Sequence, residues 1–203
     1  MEKIFRQIPL YRFLKYSNEC NSSKNILDCG AGGNMPPLSL FSKFDYKTTG
    51  IELDDNQLLL AKEYEQVNNE TLNIIKGDMT DLKFEDASFN FVYSYNSIFH
   101  MKKEDIQKSI HEMKRVLKKD GLMFVNFLTT YDAGCGTGEA MGNNQFLQME
   151  RGIPTIHSYY DDSESDKLFD DMVILYKETR IIDRIYEGDK IKQSYVDYIL
   201  KKI

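Results

Sequence analysis

Between residues 25 and 128 short apolar runs alternate with helix-patterned segments, and the first three runs each stop at an acid. Asn25-Ile-Leu-Asp28 ends in its own carboxylate, Lys47-Thr-Thr-Gly-Ile51 runs into Glu52, and Leu72-Asn-Ile-Ile-Lys76 runs into Gly77-Asp78. Such alternation predicts a parallel sheet with helices packed on it. Carboxylates closing neighbouring strands would lie along the edge where open α/β sheets bind ligands.

The intervening segments read as helices. Pro36 and Pro37 suit the first turn of a helix from Leu38 to Phe44, because an N–H missing there has no partner to lose. Asp54 with Gln57 resembles a capping box opening a helix to about Val67, with Leu60, Tyr64 and Val67 on one face. Phe89-Asn-Phe-Val-Tyr93 is a fourth strand. Ile106, Ile110, Met113 and Leu117 recur at helical spacing, and Asp120-Gly121 turns the chain into a fifth strand, Leu122 to Leu128. Beyond it, residues 129–160 hold five of the twelve glycines and little periodicity, which predicts an ordered insertion acting as a substrate-side lid. Asp161-Asp-Ser-Glu-Ser-Asp166 opens a helix to about Asp171, and two alternating strands, Val173 to Asp183 and Lys192 to Leu200, meet at Glu187-Gly-Asp189.

The expectation is one domain over residues 1–203: an α/β, Rossmann-like, doubly wound sheet of about seven strands. It is mostly parallel with an antiparallel C-terminal strand, carries helices on both faces, and has an N-terminal helical cap over residues 1–24. A chain of 203 residues suits one domain. Its 26 basic and 32 acidic residues give a net charge of −6, which argues against nucleic acid as a partner. No apolar run approaches the ~20 residues of a membrane span, and the N-terminus shows no secretory signal, so a cytoplasmic protein is expected. Three cysteines without a CxxC pair, and three histidines without an HxxxH or HExxH pair, give no metal-type spacing.

The segment Ile26-Leu-Asp-Cys-Gly-Ala-Gly-Gly-Asn34 lies between the first strand and the first sheet helix. Glycines there let backbone amides approach a ligand beside a positive helix N-terminus. Glu52, 24 residues after Asp28, stands where a carboxylate can accept from both hydroxyls of a ribose. No GxxxxGK[ST] is present, so a phosphate-cradling P-loop is excluded. An acid at position 28 disfavours a pyrophosphate and with it a nicotinamide-dependent oxidoreductase. It suits an adenosyl ligand that carries an amino group and a positive sulfur.

At these residues the chain resembles the class I S-adenosylmethionine-dependent methyltransferases of the small, general methyltransferase-domain type, over about residues 25–128. Asp28-Cys29-Gly30-Ala31-Gly32 resembles the family's DxGxG opening, and Glu52-Leu53 its ribose-binding acid and the residue after it. Gly77-Asp78-Met79 resembles the segment that meets the adenine ring. The stretch from Phe84 to Val92 is similar to the family's lead into strand four, and His111 to Gly121 to its E-x-x-RVLKPGG helix and turn. The resemblance implies S-adenosyl-L-methionine as cofactor, S-adenosyl-L-homocysteine as product, and Tyr95 and Asn96 bordering the sulfonium and acceptor. Asn34 replaces the frequent third loop glycine. Ser94-Tyr-Asn-Ser97 lacks the (D/N)PP(Y/F) of adenine, cytosine and glutamine N-methyltransferases, so those substrates lose ground.

Asp132-Ala-Gly-Cys-Gly-Thr-Gly-Glu139 looks more like the glycine loop than residues 28–34 do, but no strand-acid series follows it. Gly152-Ile-Pro-Thr-Ile-His157-Ser-Tyr159 is similar to a lid segment of such enzymes. Candidate bases are His100, after strand four, and His157, in the lid; His111 is given a surface or packing role. Tyr11, Arg12 and Tyr16 on the N-terminal helix either pack or close over the cofactor. The expected function is methyl transfer to an unidentified small-molecule acceptor by a monomer or homodimer. The alternative is a noncatalytic S-adenosylmethionine-binding module, a sensor or scaffold.

Overall fold

The computed structural model describes residues 8–150, 152–161, 163–186 and 188–203. The first seven residues of the expected N-terminal cap, Asp162 of the acidic stretch and Glu187 of the last turn lie outside the described residues. Five parallel strands form the centre of the sheet: β1 (Asn25–Cys29), β2 (Lys47–Glu52), β3 (Ile74–Lys76), β4 (Phe89–Ser94) and β5 (Leu117–Thr129). Their order is β3-β2-β1-β4-β5, so the winding reverses between β1 and β4, and a crevice opens beyond their C-terminal ends.

Side chains alternate across the sheet at the strand period of two, and helices cover both faces. Ile26, Phe91, Tyr93 and Phe124 face α1 (Ile8–Glu19), α2 (Leu38–Ser42) and α3 (Asp55–Asn68), where the Phe13 ring meets those of Phe41, Phe91, Tyr93 and Phe124 at 5.8–6.5 Å. Leu27, Val92 and Met123 face the other way, onto Ile106, Ile110 and Met113 of α4 (Lys103–Val116). Among the described residues no helix is long and apolar enough to cross a membrane.

The α3 start behaves as its sequence reads. Asp54 has an extended backbone and its Oδ1 accepts from the Gln57 N–H at 2.9 Å. Asp54→Ala is expected to destabilise the fold by about 1 kcal/mol and Asp54→Asn by much less, as measured by urea unfolding. The buried face of α3 is Leu58 and Ala61, with Tyr64 packed against the same core as expected; Leu60 is only half-buried, and Val67, in the last turn, is 84% exposed. β3 begins two residues later than its apolar run because Asn73 adopts a left-handed φ of 56°. The 161–171 segment forms only a 3-10 turn, Ser165–Phe169.

Among the described residues the sheet has ten strands rather than about seven. Residues 139–160, expected as a lid of little periodicity, form an antiparallel run of β6 (Glu139–Gly142), β7 (Gln145–Glu150) and β8 (Ile153–Tyr160). The chain closes with a long hairpin, β9 (Met172–Tyr186) and β10 (Asp189–Lys202), whose second strand runs antiparallel to β5. β10 occupies one side of β5 up to Leu128↔Tyr195, and β4 occupies the other only as far as Ser94↔Val125. β8 therefore takes the vacated β4 side at Leu128↔Tyr159 and Thr129↔Tyr160, and the three-strand lobe rises directly above the end of β4.

Candidate functional site

The glycine loop is sewn to β2 by its own backbone. The N–H groups of Gly30 and Ala31 both donate to the Ile51 carbonyl, at 3.0 and 2.9 Å. Gly32 N–H donates to Glu52 Oε2 at 2.9 Å, Asp54 N–H to Glu52 Oε1 at 2.8 Å, and Gly33 N–H to the Gln57 carbonyl at 3.0 Å. Gly30 has a φ of 98°, and a Cβ there would sit 2.0 Å from Ser97 Oγ, so no other residue fits. Each Glu52 oxygen keeps a second lone pair for a hydroxyl.

Asp28, Cys29 and Ala31 are buried beneath the loop. Neither oxygen of Asp28 has a hydrogen-bond partner in good geometry, nor does the hydroxyl of neighbouring Tyr93. Burial pushes the Asp28 carboxyl up to about 8, against the pull of the Tyr93 hydroxyl and with the Glu52 charge adding to the rise. Burial, with Asp28 adding to it, holds the Cys29 thiol well above its ordinary range, so it is no ready nucleophile.

On the β3 side Gly77 N–H donates to the Glu52 carbonyl at 3.0 Å. Asp78 is exposed, and its Oδ1 accepts from the Thr80 N–H and hydroxyl, each at 2.8 Å, which fixes the carboxylate's orientation. The buried Met79 side chain reaches under Gly30, and Leu53 is 60% exposed beside Glu52. After β4, Tyr95 packs on Phe124. Asn96 has a left-handed φ of 52° and is clamped by Asn126 of β5, which accepts its N–H at 2.8 Å and donates to its side chain at 2.6 Å.

The β6–β8 lobe is latched to the same loop. Ser158 N–H donates to the Phe99 carbonyl at 3.0 Å and Ser158 Oγ to the Met101 carbonyl at 2.7 Å, so His157 is set against His100 between those two anchors. The two rings lie 4.7 Å apart, edge to face. His100 Nδ1 and His157 Nε2 converge on Glu150 Oε2 at 3.3 and 3.4 Å, while His157 Nδ1 is buried without a partner. Burial pushes the His100 imidazole down to about 4, against Glu150, which raises it, and with His157 lowering it further.

A single open cleft of about 780 Å³ joins the two regions. Gly30, Gly32, Glu52, Tyr95 and Asn96 line one part of it, and His100 and Glu150 another. The sequence-derived site thus splits in three. Gly30, Gly32, Glu52, Tyr95, Asn96 and His100 share the cleft wall; Asp28, Cys29, Ala31, Met79 and His157 stand behind or beside it; Leu53, Gly77 and Asp78 lie at its β3 side, off the wall. Gln57, Ser97 and Glu150 also line the cleft and carry no sequence signal of their own. In the β7–β8 ladder Glu150 pairs with Ile153 and His157 with Phe146, so the two share one face of the hairpin and meet through their side chains.

Other candidates fall elsewhere. His111 is exposed on α4. Arg12 donates to Glu178 at 2.6 Å and stacks on Tyr176, and Tyr16 also packs on Tyr176, so both serve the contact between α1 and β9. Tyr11 is 40% exposed, off the cleft wall. In the second glycine-rich segment Asp132 accepts from Gly134 and Ser194 N–H groups at 2.8 and 2.9 Å, and Gln148 caps the Gly134 and Thr137 carbonyls. It is a structural turn that ties β5 to β10 and β7.

Residues 27–125 match the family described as a methyltransferase domain. An O-methyltransferase of Aspergillus nomiae is 29% identical over 65% of this chain and 58% of its own length. The uncharacterized methyltransferase YcgJ of Bacillus subtilis is 27% identical over 59% of this chain and 47% of its own length. The chain spans about half the length of these curated relatives. An S-adenosylmethionine-dependent methyltransferase of Methanosarcina mazei superposes with a TM-score of 0.70 at 21% identity, covering 100% of this chain and 99% of that one. The 1,6-didemethyltoxoflavin-N1-methyltransferase of Burkholderia thailandensis, with its toxoflavin precursor and S-adenosylhomocysteine bound, superposes with a TM-score of 0.68 at 12% identity, over 97% and 77% of the two chains. Ordered acids at the ends of β1, β2 and β3, a glycine loop sewn to Glu52 and these likenesses agree: residues 27–125 match a methyltransferase domain, and the fold is consistent with a class I S-adenosylmethionine-dependent methyltransferase.

Proposed function

We propose that this chain transfers a methyl group from S-adenosylmethionine to a small-molecule acceptor. The observation that carries the reading is the single cleft, which has the glycine loop and Glu52 in one part and His100 and Glu150 in another. A concave site of this size suits a cofactor with a small acceptor beside it. The B. thailandensis neighbour, with a small molecule and S-adenosylhomocysteine bound together, and the net charge of −6 support the same acceptor class.

The pocket fits the cofactor by its own chemistry. Glu52 faces the cleft with acceptor capacity to spare, and the loop glycines leave its mouth clear of side chains. The unpartnered Asp28 carboxyl lies just beneath, where a cationic group bound nearby would favour its ionised form and pair with it. S-adenosylmethionine supplies, when bound, a methyl already activated by its positive sulfur. The protein's part is then to orient and to exclude water. Glu52 holds the ribose hydroxyls; Asp78 and the Met79 N–H hold the adenine; Leu53 lies along it. Asn96, locked by Asn126, and Tyr95 border the sulfonium. His100, His157 and Glu150 form the polar end that meets the acceptor.

Calorimetric titration with S-adenosylhomocysteine tests the cofactor half. The wild type is expected to bind at micromolar concentration, and Glu52→Ala and Asp78→Ala about tenfold more weakly each, the effect of one hydrogen bond to a charged group. Absence of binding in the wild type would overturn the reading. Binding without methyl transfer to any member of a broad acceptor panel would replace the enzyme by a sensor or scaffold.

A further inference from the structure

The convergence of His100, Glu150 and His157 points to a function that the glycine loop does not require. We propose that these three side chains form a binding site for one divalent transition-metal ion of the zinc class, open on one side to the cleft. The donor set is two imidazoles and one carboxylate, the composition of open zinc sites. The three donor atoms all lie within 4.8 Å of one another.

The distances separate this reading from a simple hydrogen-bonded triad. Charge-assisted N–H to carboxylate bonds settle at about 2.7–2.9 Å. Here His100 Nδ1 and His157 Nε2 stand 3.3 and 3.4 Å from the same oxygen, Glu150 Oε2. A tetrahedral ion with bonds of about 2.0–2.1 Å spaces its ligands roughly 3.4 Å apart. Two edges of the triangle therefore already have the length of a coordination polyhedron, and the third is no longer than 4.8 Å.

The scaffold holds the ligands without the ion. Ser158 pins β8 through the carbonyls on either side of His100, and Glu150, opposite Ile153 at the turn end of the β7–β8 ladder, lies on the same face as His157. Three protein donors leave a fourth position, and since His100 and Glu150 line the cleft, that position opens into it. The ligand it suits is an acceptor with an anionic oxygen, such as a phenolate or carboxylate, held beside Tyr95 and Asn96.

The test uses tag-free protein, stripped with a chelator and dialysed, and titrated calorimetrically with Zn²⁺ alone. One ion per chain at micromolar Kd or tighter is expected, with affinity at least about 30-fold lower in His157→Ala and in Glu150→Gln. Circular dichroism checks that both variants keep the wild-type fold, and Glu150, half exposed on the β6–β8 lobe, is the substitution least able to disturb it. Co²⁺ added to the wild type should give visible ligand-field bands of a four- or five-coordinate ion, absent from both variants. No stoichiometric binding, or binding and spectra unchanged by both substitutions, would overturn the site. S-adenosylhomocysteine titrated into the same metal-free samples is read separately, so failure of the metal site and failure of the cofactor reading are distinguishable.

Discussion

Between pH 5 and pH 8 the ligand-free protein is expected to lose roughly 3 kcal/mol of unfolding free energy that Asp28→Asn keeps. The folded carboxyl holds its proton up to about pH 8, whereas in the unfolded chain it ionises near 3.9. Below pH ~4 both states are protonated and the contribution is whole. As pH rises through the window from about 4 to 8 the unfolded state sheds its proton and the folded state does not, so stability falls by up to about 1.4 kcal/mol per unit. Above 8 both are charged and the slope vanishes. An asparagine keeps the shape and cannot ionise, so its curve should lack this slope. Below pH ~4 the two proteins should be nearly equal; by pH 5 the variant should lead by about 1.5 kcal/mol, and at pH 8 it should melt several degrees higher. Urea unfolding at both pH values measures this, and parallel pH slopes would refute it.

Gly32→Ala is expected to weaken S-adenosylhomocysteine binding by about tenfold, roughly 1.4 kcal/mol, as much as loss of the Glu52 carboxylate itself. A Cβ there would stand 2.5 Å from Glu52 Oε2 and 2.7 Å from Gln57 Cβ, so the carboxylate must leave the position in which it accepts the loop N–H and faces the cleft. The backbone at Gly32 has no left-handed φ, but Gln57 Cβ is held by α3, so the clash should also cost about 1–3 kcal/mol of stability. Gly33→Ala is the converse control. Its Cβ meets only Gln57 Oε1, at 3.7 Å, but its φ of 102° is hostile to alanine, so it should lose about 1–2 kcal/mol of stability and keep most of its affinity. Calorimetry and urea unfolding on the pair separate the two effects. A Gly32→Ala protein that binds within threefold of the wild type would mean that the loop does not hold the ligand.

The central sheet was legible because its strands announce their own ends. Asp28, Glu52 and Asp78 each follow a short apolar run, and the period-two faces of Phe91, Val92 and Tyr93 sort onto opposite layers as strands must. Local signals failed where tertiary pairing decides. The strands of residues 139–160 expose Met149 and Ile153 and turn at left-handed Asn143, Asn144 and Gly152, so their alternation resembles a loop. On α3 the expectation held at Tyr64 and failed at Val67, which stands exposed in the last turn before the Asn69 cap. Glu150 had no chance of detection: nothing around it in sequence distinguishes it from a surface acid, and its setting depends on β8 taking over the edge that β4 gives up on β5.

That change of partner along β5 also bears on how such a protein diversifies. The lobe with Glu150 and His157 is fastened by a two-residue ladder and the Ser158 anchors, whereas the opposite end of the cleft is built from β1, β2 and α3. The β7–β8 turn at Gly152 points into open space. Lengthening or shortening that turn reshapes the wall beside the histidines and leaves the glycine loop untouched. Descendants of one ancestor can thus trade acceptors by small insertions at a single hairpin while inheriting the rest intact.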